Sequence, residues 1–277
     1  FKKSEILEER KDVEDGEERK ENPLFPLLLL HPLFHLSSIS PLTNIQYYPL
    51  TMKRSLSSLL LCSTVLALAG CGQSTTASYR VIFESRLEAA KKQEVALAAG
   101  RVFERRILSM QGTPTNTKVT TKETEALVSL TVDPPVLIDE LTNQLVAPFE
   151  LLLMRATNPG EAPDITVQGN KNFTKTGVTA DDVLWVTAGK SEKDAEKGSV
   201  LLTFTPEGIE KVKKVFLETR GKQVALFLRG KLISSFVNSN GEARENILID
   251  GIPSVELAAA FADDVNVGIF TKIVPNR

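Results

Sequence analysis

The 277-residue sequence is poor in the side chains that carry most enzyme chemistry: it holds two His, two Cys and one Trp. His31 and His35 lie near the start, and Cys62 and Cys71 bracket an apolar segment, so residues 72–277 contain neither type. Triads built on His, His-based zinc sites, thiol nucleophiles and internal disulfides are excluded from that stretch for want of residues. An excess of positive charge is also missing. The formal net charge is −2, and after Gly70 there are 25 basic residues against 26 acidic ones, which is no footprint for nucleic-acid phosphates. Beyond Cys71 no apolar run approaches the roughly 20 residues of a membrane-spanning helix. What remains is ordinary for a folded chain, with 42% hydrophobic and 25% charged residues.

The amino-terminal third is organised differently. Residues 2–21 are a charge run, and Pro23, Pro26 and Pro32 break the Leu-rich stretch that follows. The first Met is Met52, and residues 1–51 are expected to be an upstream, non-native or disordered segment. Met52-Lys53-Arg54 then provides a basic flank, Ser55 to Ala67 a short apolar core, and Leu68-Ala69-Gly70-Cys71 a run of small residues before a Cys. Basic flank, short apolar core and small residues before a cut are the marks of a secretory signal. Leu68-Ala69-Gly70-Cys71 resembles the bacterial lipobox. That resemblance implies that signal peptidase II recognises Leu68, Ala69 and Gly70, and that the Cys71 thiol carries diacylglycerol. Residues 52–70 are then a signal peptide and 71–78 a Ser/Thr-rich tether. Several acyl chains on one Cys hold firmly, each buried methylene adding about 0.8 kcal/mol. The expected location is the cell envelope, lipid-anchored on the periplasmic face of the inner or outer membrane. Gly72 stands where an Asp would resemble an inner-membrane retention signal.

Periodicity after the tether predicts an α+β fold in two parts. Tyr79 to Phe83 alternates as a strand, Ser85 to Met110 carries a 3.6-residue apolar stripe, and Thr117 to Thr121 and Ala126 to Val132 read as two strands. Asp133-Pro134 is expected to open a helix to about Val146, with Asp133 as N-cap, and Phe149 to Arg155 is an apolar strand. The order βαββαβ is that of a ferredoxin-like base over residues 79–157. Thr157-Asn158-Pro159-Gly160 reads as a linker to a second α+β subdomain, residues 158–277, with a mainly antiparallel sheet. Its expected elements are strands at 166–173, 183–186 and 200–204, and a helix capped by Thr205-Pro206-Glu207 that runs to Thr219. A hairpin over 223–237 turns at Arg229-Gly230. A strand at 247–250, an Ala-rich helix at Pro253 to Asp263 and a closing strand at Val265 to Ile273 complete it.

Gly198 to Lys211 (GSVLLTFTPEGIEK) and Gly221 to Ser235 (GKQVALFLRGKLISS) resemble the first periplasmic domain of SecD, the accessory subunit of the bacterial protein translocase. Ile249-Asp250-Gly251 and Thr176 to Asp182 sit where that family shows its later strand and its Thr/Gly segment. The match covers roughly residues 165–275, with a weaker one over 79–157 that rests on order and spacing. Two departures stand out: Phe236-Val237-Asn238 replaces a frequent Ala-Pro, and Ser129-Leu130-Thr131-Val132 lacks the family's Pro-Gly. In SecD, transmembrane helices couple export to the proton gradient, and that step is not carried over to this chain.

The resemblance implies a base-plus-head fold and a capacity to hold exported or unfolded polypeptide, or translocase components, outside the membrane. The alternative is a scaffolding envelope lipoprotein that binds one folded partner. A non-enzymatic role is expected, without cofactor, metal or nucleic acid; Ser-Lys pairs such as Ser191 and Lys193 arise readily by chance in a chain this rich in both. Asp181-Asp182 and Asp263-Asp264 are expected to serve as helix-terminal charges rather than calcium ligands. Candidate peptide contacts are Phe236, Asn238 and Asn240 at the hairpin end and following loop, together with Trp185. The expected mode is addition of a client strand to an exposed sheet edge.

Overall fold

The computed structural model describes residues 74–169 and 171–276; the signal-peptide segment, Cys71 and residues 1–51 lie outside them. The chain runs through β1 (Thr75–Phe83), α1 (Lys92–Ser109), β2 (Thr113–Thr121), β3 (Glu125–Asp133), α2 (Leu137–Val146) and β4 (Leu151–Ala156). It continues through β5 (Ile165–Val167), β6 (Lys171–Thr179), β7 (Val183–Lys190), β8 (Gly198–Phe204), α3 (Pro206–Glu218), β9 (Gln223–Leu228) and β10 (Lys231–Val237). β11 (Asn246–Ile252), α4 (Val255–Phe270) and β12 (Thr271–Pro275) end the described fold. Among the described residues three sheets form, in the orders β12-β1-β3-β2, β10-β9-β4-β6-β5 and β11-β8-β7. The strand pairs described are antiparallel, and the class is α+β.

The four-stranded sheet has the ferredoxin-like order, but its fourth strand is β12 and not the predicted Phe149 to Arg155. Leu151, Leu152, Leu153 and Met154 are all buried, at 7% exposure or less. A strand apolar on both sides suits the centre of a two-sided sheet, and β4 lies between β9 and β6. β12 brings Lys272 and a short alternating pattern to the edge beside β1. Helix α2 packs on α1, β3 and β12, so the segment from β4 to β11 is inserted between base elements, in place of the expected division at residues 157 and 158.

Three further expectations change. β1 begins at Thr75, because Ala77, Tyr79 and Val81 point into the core while Thr76 and Ser78 pair with Thr131 and Ser129 on the other face. Part of the expected tether is thus strand. Asp133 ends β3 instead of capping α2, and the helix starts at Leu137. Pro135 disfavours helical backbone at Pro134, which delays entry by one turn. The closing strand predicted from Val265 is shorter, since Val265 to Phe270 complete α4. Val265, Asn266, Val267, Ile269 and Phe270 are all buried there, around most of the helix circumference, so no amphipathic stripe marks them as helical.

α4 is the shared element. One side packs on α1, where Arg101 and Arg105 hold Asp263 at 2.6 and 3.1 Å and Arg106 holds Asp264 at 3.2 Å. The other side packs on β7 and β8. A side chain at Gly268 would collide with the Phe149 ring, so glycine permits the close approach there. One continuous core runs from the base through α3 and the three-stranded sheet. A second, smaller cluster of Leu152, Met154, Phe173, Ala225 and Phe227 lies on the opposite face of the five-stranded sheet.

Candidate functional site

An edge strand offers unpaired backbone groups to any extended chain, unless the edge is shortened, bent or covered. β2 carries Pro114, a left-handed Asn116 (φ 52°) and a register break between Thr115 and Lys118, all of which obstruct pairing. β12 is five residues long and ends in Pro275, and β5 is only three residues long. β7 is closed by a side chain: the buried Asn266 amide accepts from the Val186 N–H at 3.0 Å and donates to the Val186 carbonyl at 2.8 Å. That amide substitutes for a neighbouring strand.

β10 and β11 remain open. β10 follows β9 through Arg229 (φ 48°) and Gly230 (φ 73°), the two left-handed positions that a type I′ hairpin requires. Its partner residues are Lys231 with Leu228, Leu232 with Phe227, and Ser234 through Val237 with Leu226 through Gln223, with a bulge at Ile233. Among the described residues the one backbone bond on the outer side of Lys231–Val237 is a local turn, in which the Val237 carbonyl accepts from the Ser239 N–H at 3.1 Å; no strand pairs there. Leu232 packs on the second apolar cluster, as do Ile165 and Val167 of β5, the other edge of the same sheet. Ile165 stands opposite Phe173 and Leu232 opposite Phe227, and the two rings meet edge to face at 5.4 Å. β11 is different. Its exposed Leu248 stands opposite Leu201, but Asn246 and Asp250 flank it, and it ends in a bulge. An added strand would find apolar company on β10 and mostly polar company on β11.

Phe236 lies on β10, on the side facing α3, where it stacks on Phe216 at 5.8 Å. It is half-buried and contributes to packing. Val237 beside it is 59% exposed. Asn238, expected in a contact loop, is instead 2% exposed and fully engaged. Its amide donates to the Phe216 carbonyl and to Thr219 Oγ1 (3.1 Å) and accepts from the Gly241 N–H (3.2 Å). It therefore ties the hairpin to the end of α3 and offers nothing to a ligand. The loop it begins is pinned further on, by Arg244 over the Phe216 ring and by Glu245 on Lys213 at 3.1 Å. Lys213 is raised above its ordinary pKa by Glu245 and then Glu210. Asn240 is exposed near the head of this loop. Trp185 is not in this neighbourhood: it is on β7, half-buried, stacked on Phe270 at 5.4 Å with the Lys91 ammonium 4.5 Å from its ring. The structure thus brings Phe236 and Asn238 together and leaves Trp185 at the junction of β7 and α4.

A cleft of about 340 Å³ opens between β6 and α3, lined by Arg155, Lys175, Lys211, Lys214 and Glu218 over Thr176 and Gly177. Two of its four cations are closely paired. Arg155 holds Glu161 at 2.7 Å and Lys211 holds the buried Asp182 at 2.7 Å, while Asp164 accepts from the Lys175 backbone N–H. The Arg155 guanidinium and the Asn158 N–H bring the Glu161 carboxyl down to about 2. Asp182 also accepts from the Thr179 N–H, so it is spent on a turn. Asp263 and Asp264 face arginines in mid-helix, a correction to their expected place at a helix end. Ser191 Oγ accepts from the Lys193 backbone N–H at 3.2 Å, which makes it a turn cap. No three His, Cys, Asp or Glu side chains converge among the described residues, and no helix there is long and apolar enough to cross a membrane.

No family model and no curated protein matches the sequence. Among solved structures, the fold is similar to SecDF, described as a membrane component that enhances protein export. The TM-score is 0.41 at 17% identity, over 73% of this chain and 98% of that one. It is also similar to SecDF in a super-membrane-facing form (TM-score 0.40, 19% identity, 73% of this chain). A third likeness is to SecDF from Thermus thermophilus, a translocon-associated membrane protein (TM-score 0.40, 18% identity, 72% of this chain). The chain spans 30% of the length of each of the last two.

Sequence reasoning missed the Asn266 clasp. Its signal was present as a lone amide inside the apolar run Val265 to Phe270, since a polar side chain buried among apolar ones must find partners.

Proposed function

We propose that this chain is an envelope lipoprotein, anchored through acylated Cys71, that holds exported or unfolded polypeptide at the edge of its five-stranded sheet and so assists protein translocation. One observation carries the reading: β10 is an open edge flanked by an apolar cluster to which both borders of the sheet contribute. Main-chain bonds to such an edge are indifferent to client sequence, which suits a protein that meets many clients. The bulge at Ile233 confines regular pairing to Ser234–Val237, short enough for clients to leave again. The resemblance of residues 198–211 and 221–235 to SecD supports a place in export. Binding and release require no bond to be made or broken, and the reading is non-catalytic.

The test is photo-crosslinking from Val237 in intact envelopes, with a reporter at Leu184 as control. A spread of exported chains captured from Val237 and not from Leu184 is expected. One folded protein captured from Val237 would replace this reading with that of a scaffold. Translocase components captured together with exported chains would place the holding step at the translocase.

A further inference from the structure

We infer that the loop Pro134-Pro135-Val136 is a membrane-facing tip that rests on the bilayer beside the lipid anchor; this inference rests on acylation of Cys71. The backbone register places it there. Thr75, the first residue of β1, pairs with Val132, and Thr113 pairs with Asp133, the last residue of β3. The chain leading back from Thr75 toward Cys71 and the chain leading on from Asp133 to Val136 therefore leave the sheet at the same end, on neighbouring strands. Adjacent strands lie about 4.8 Å apart. Four residue-to-residue steps lead from Cys71 to Thr75 and span at most about 14 Å at 3.5 Å each. Three residues carry the chain from Asp133 to Val136, a reach of about 10 Å by the same measure. A lipid on Cys71 and the side chain of Val136 can meet one plane without strain.

The composition of the tip fits that plane. Val136 is 76% exposed, more than any other large apolar side chain among the described residues, and Pro134 is exposed beside it. Two consecutive prolines stiffen the loop, so little conformational freedom is lost on contact. Leu108, 58% exposed in the last turn of α1, lies toward the same end, because α1 leads directly through Gly112 to Thr113. One valine and its prolines are too little apolar surface to hold a protein on a membrane alone. Once the anchor raises the local concentration, the same contact suffices to select an orientation. The exposed neighbours Asp133, Asp139 and Glu140 are acidic. The partner surface is thus the uncharged lipid interface and not an anionic headgroup cluster.

The sequence allows a clean test. After Cys71 there is no other cysteine, so in the processed, acylated full-length product Val136→Cys supplies one free thiol for an environment-sensitive fluorophore. Val237→Cys on β10 supplies the control. Purified lipoprotein is reconstituted into phosphatidylcholine vesicles, floated, and read for emission shift and quenching by lipid-borne nitroxide. Expected is a blue shift and quenching at residue 136, little change at 237, and a loss of the 136 signal when phosphatidylglycerol is added. Flotation with residue 136 behaving as 237 does would overturn the tip while leaving the anchor intact. A chain that does not float, with no acyl mass on Cys71, would remove the anchor and this orientation with it.

Discussion

The four-stranded and five-stranded sheets solve the problem of a second face in opposite ways. The four-stranded sheet buries one face under α1 and α2 and turns the other to water through a ladder of polar pairs: Thr76 with Thr131, Ser78 with Ser129, Arg80 with Glu125. Its β3 alternates without exception, with Ala126, Val128, Leu130 and Val132 fully buried. The five-stranded sheet is apolar on both faces. Leu151, Leu153, Val224 and Leu226 join the main core, and Leu152, Met154, Phe173, Ala225 and Phe227 form a core of their own. No helix contributes to that second cluster, and the edge strands β5 and β10 supply its border. A sheet with one wet face has no need of a partner. A sheet whose second face is dry keeps its edges beside apolar surface, which is where an extended chain gains most by pairing.

The largest way to break this contrast is Phe227→Ala. The ring is 1% exposed against Phe173, and its removal is expected to cost about 3–5 kcal/mol in denaturant unfolding. A loss below about 1 kcal/mol, the range of lightly packed surface sites, would mean that the second face is not a core. Asn266→Ala comes next. It strands the N–H and carbonyl of Val186, each worth about 1–3 kcal/mol when buried without a partner, for an expected total of about 2–4 kcal/mol. Faster amide exchange at Val186 is the local signature, and unchanged exchange would contradict the clasp.

Smaller is the effect of the half-buried Arg155–Glu161 pair at the end of β4. The Glu161 carboxyl is lowered from 4.5 to about 2, so the folded state binds its proton less readily than the unfolded chain does. Its contribution is fully present above about 4.5 and fades as pH falls toward 2. Wild type should therefore exceed Glu161→Gln in stability at neutral pH and converge with it near the acid limit; a constant difference would contradict the pairing. Smallest is Ser78→Ala on the wet face. A single exposed-side hydroxyl pair is expected to matter by no more than about 0.5 kcal/mol.

Local features were legible in the sequence wherever short-range chemistry decides them. Arg229-Gly230 makes the hairpin turn, and Thr205 accepts from the Gly208 N–H at 3.1 Å with Pro206 opening α3. Long-range choices were not legible. βαββαβ order correctly suggests a ferredoxin-like sheet, but chain order cannot say that the last strand waits until Thr271. The decisive clue was in β4 itself, where four consecutive buried residues do not suit a sheet with a wet face. Asn238 was misread for a related reason: an Asn at the head of a polar loop looks available, and only the fold shows its amide spent on Phe216, Thr219 and Gly241. The open edge at β10 was expected as a class of site. Its location depended on knowing which other edges were blocked.

The most direct measurement is amide hydrogen exchange on the full chain with and without a permanently unfolded, carboxymethylated polypeptide. Protection is expected to rise at the outward-facing amides of Ser235 and Val237 and to stay unchanged across β1, β2, β3 and β12. No added protection on β10, or protection that appears instead on Asn246–Ile252 of β11 or on the four-stranded sheet, would contradict strand addition at the five-stranded edge.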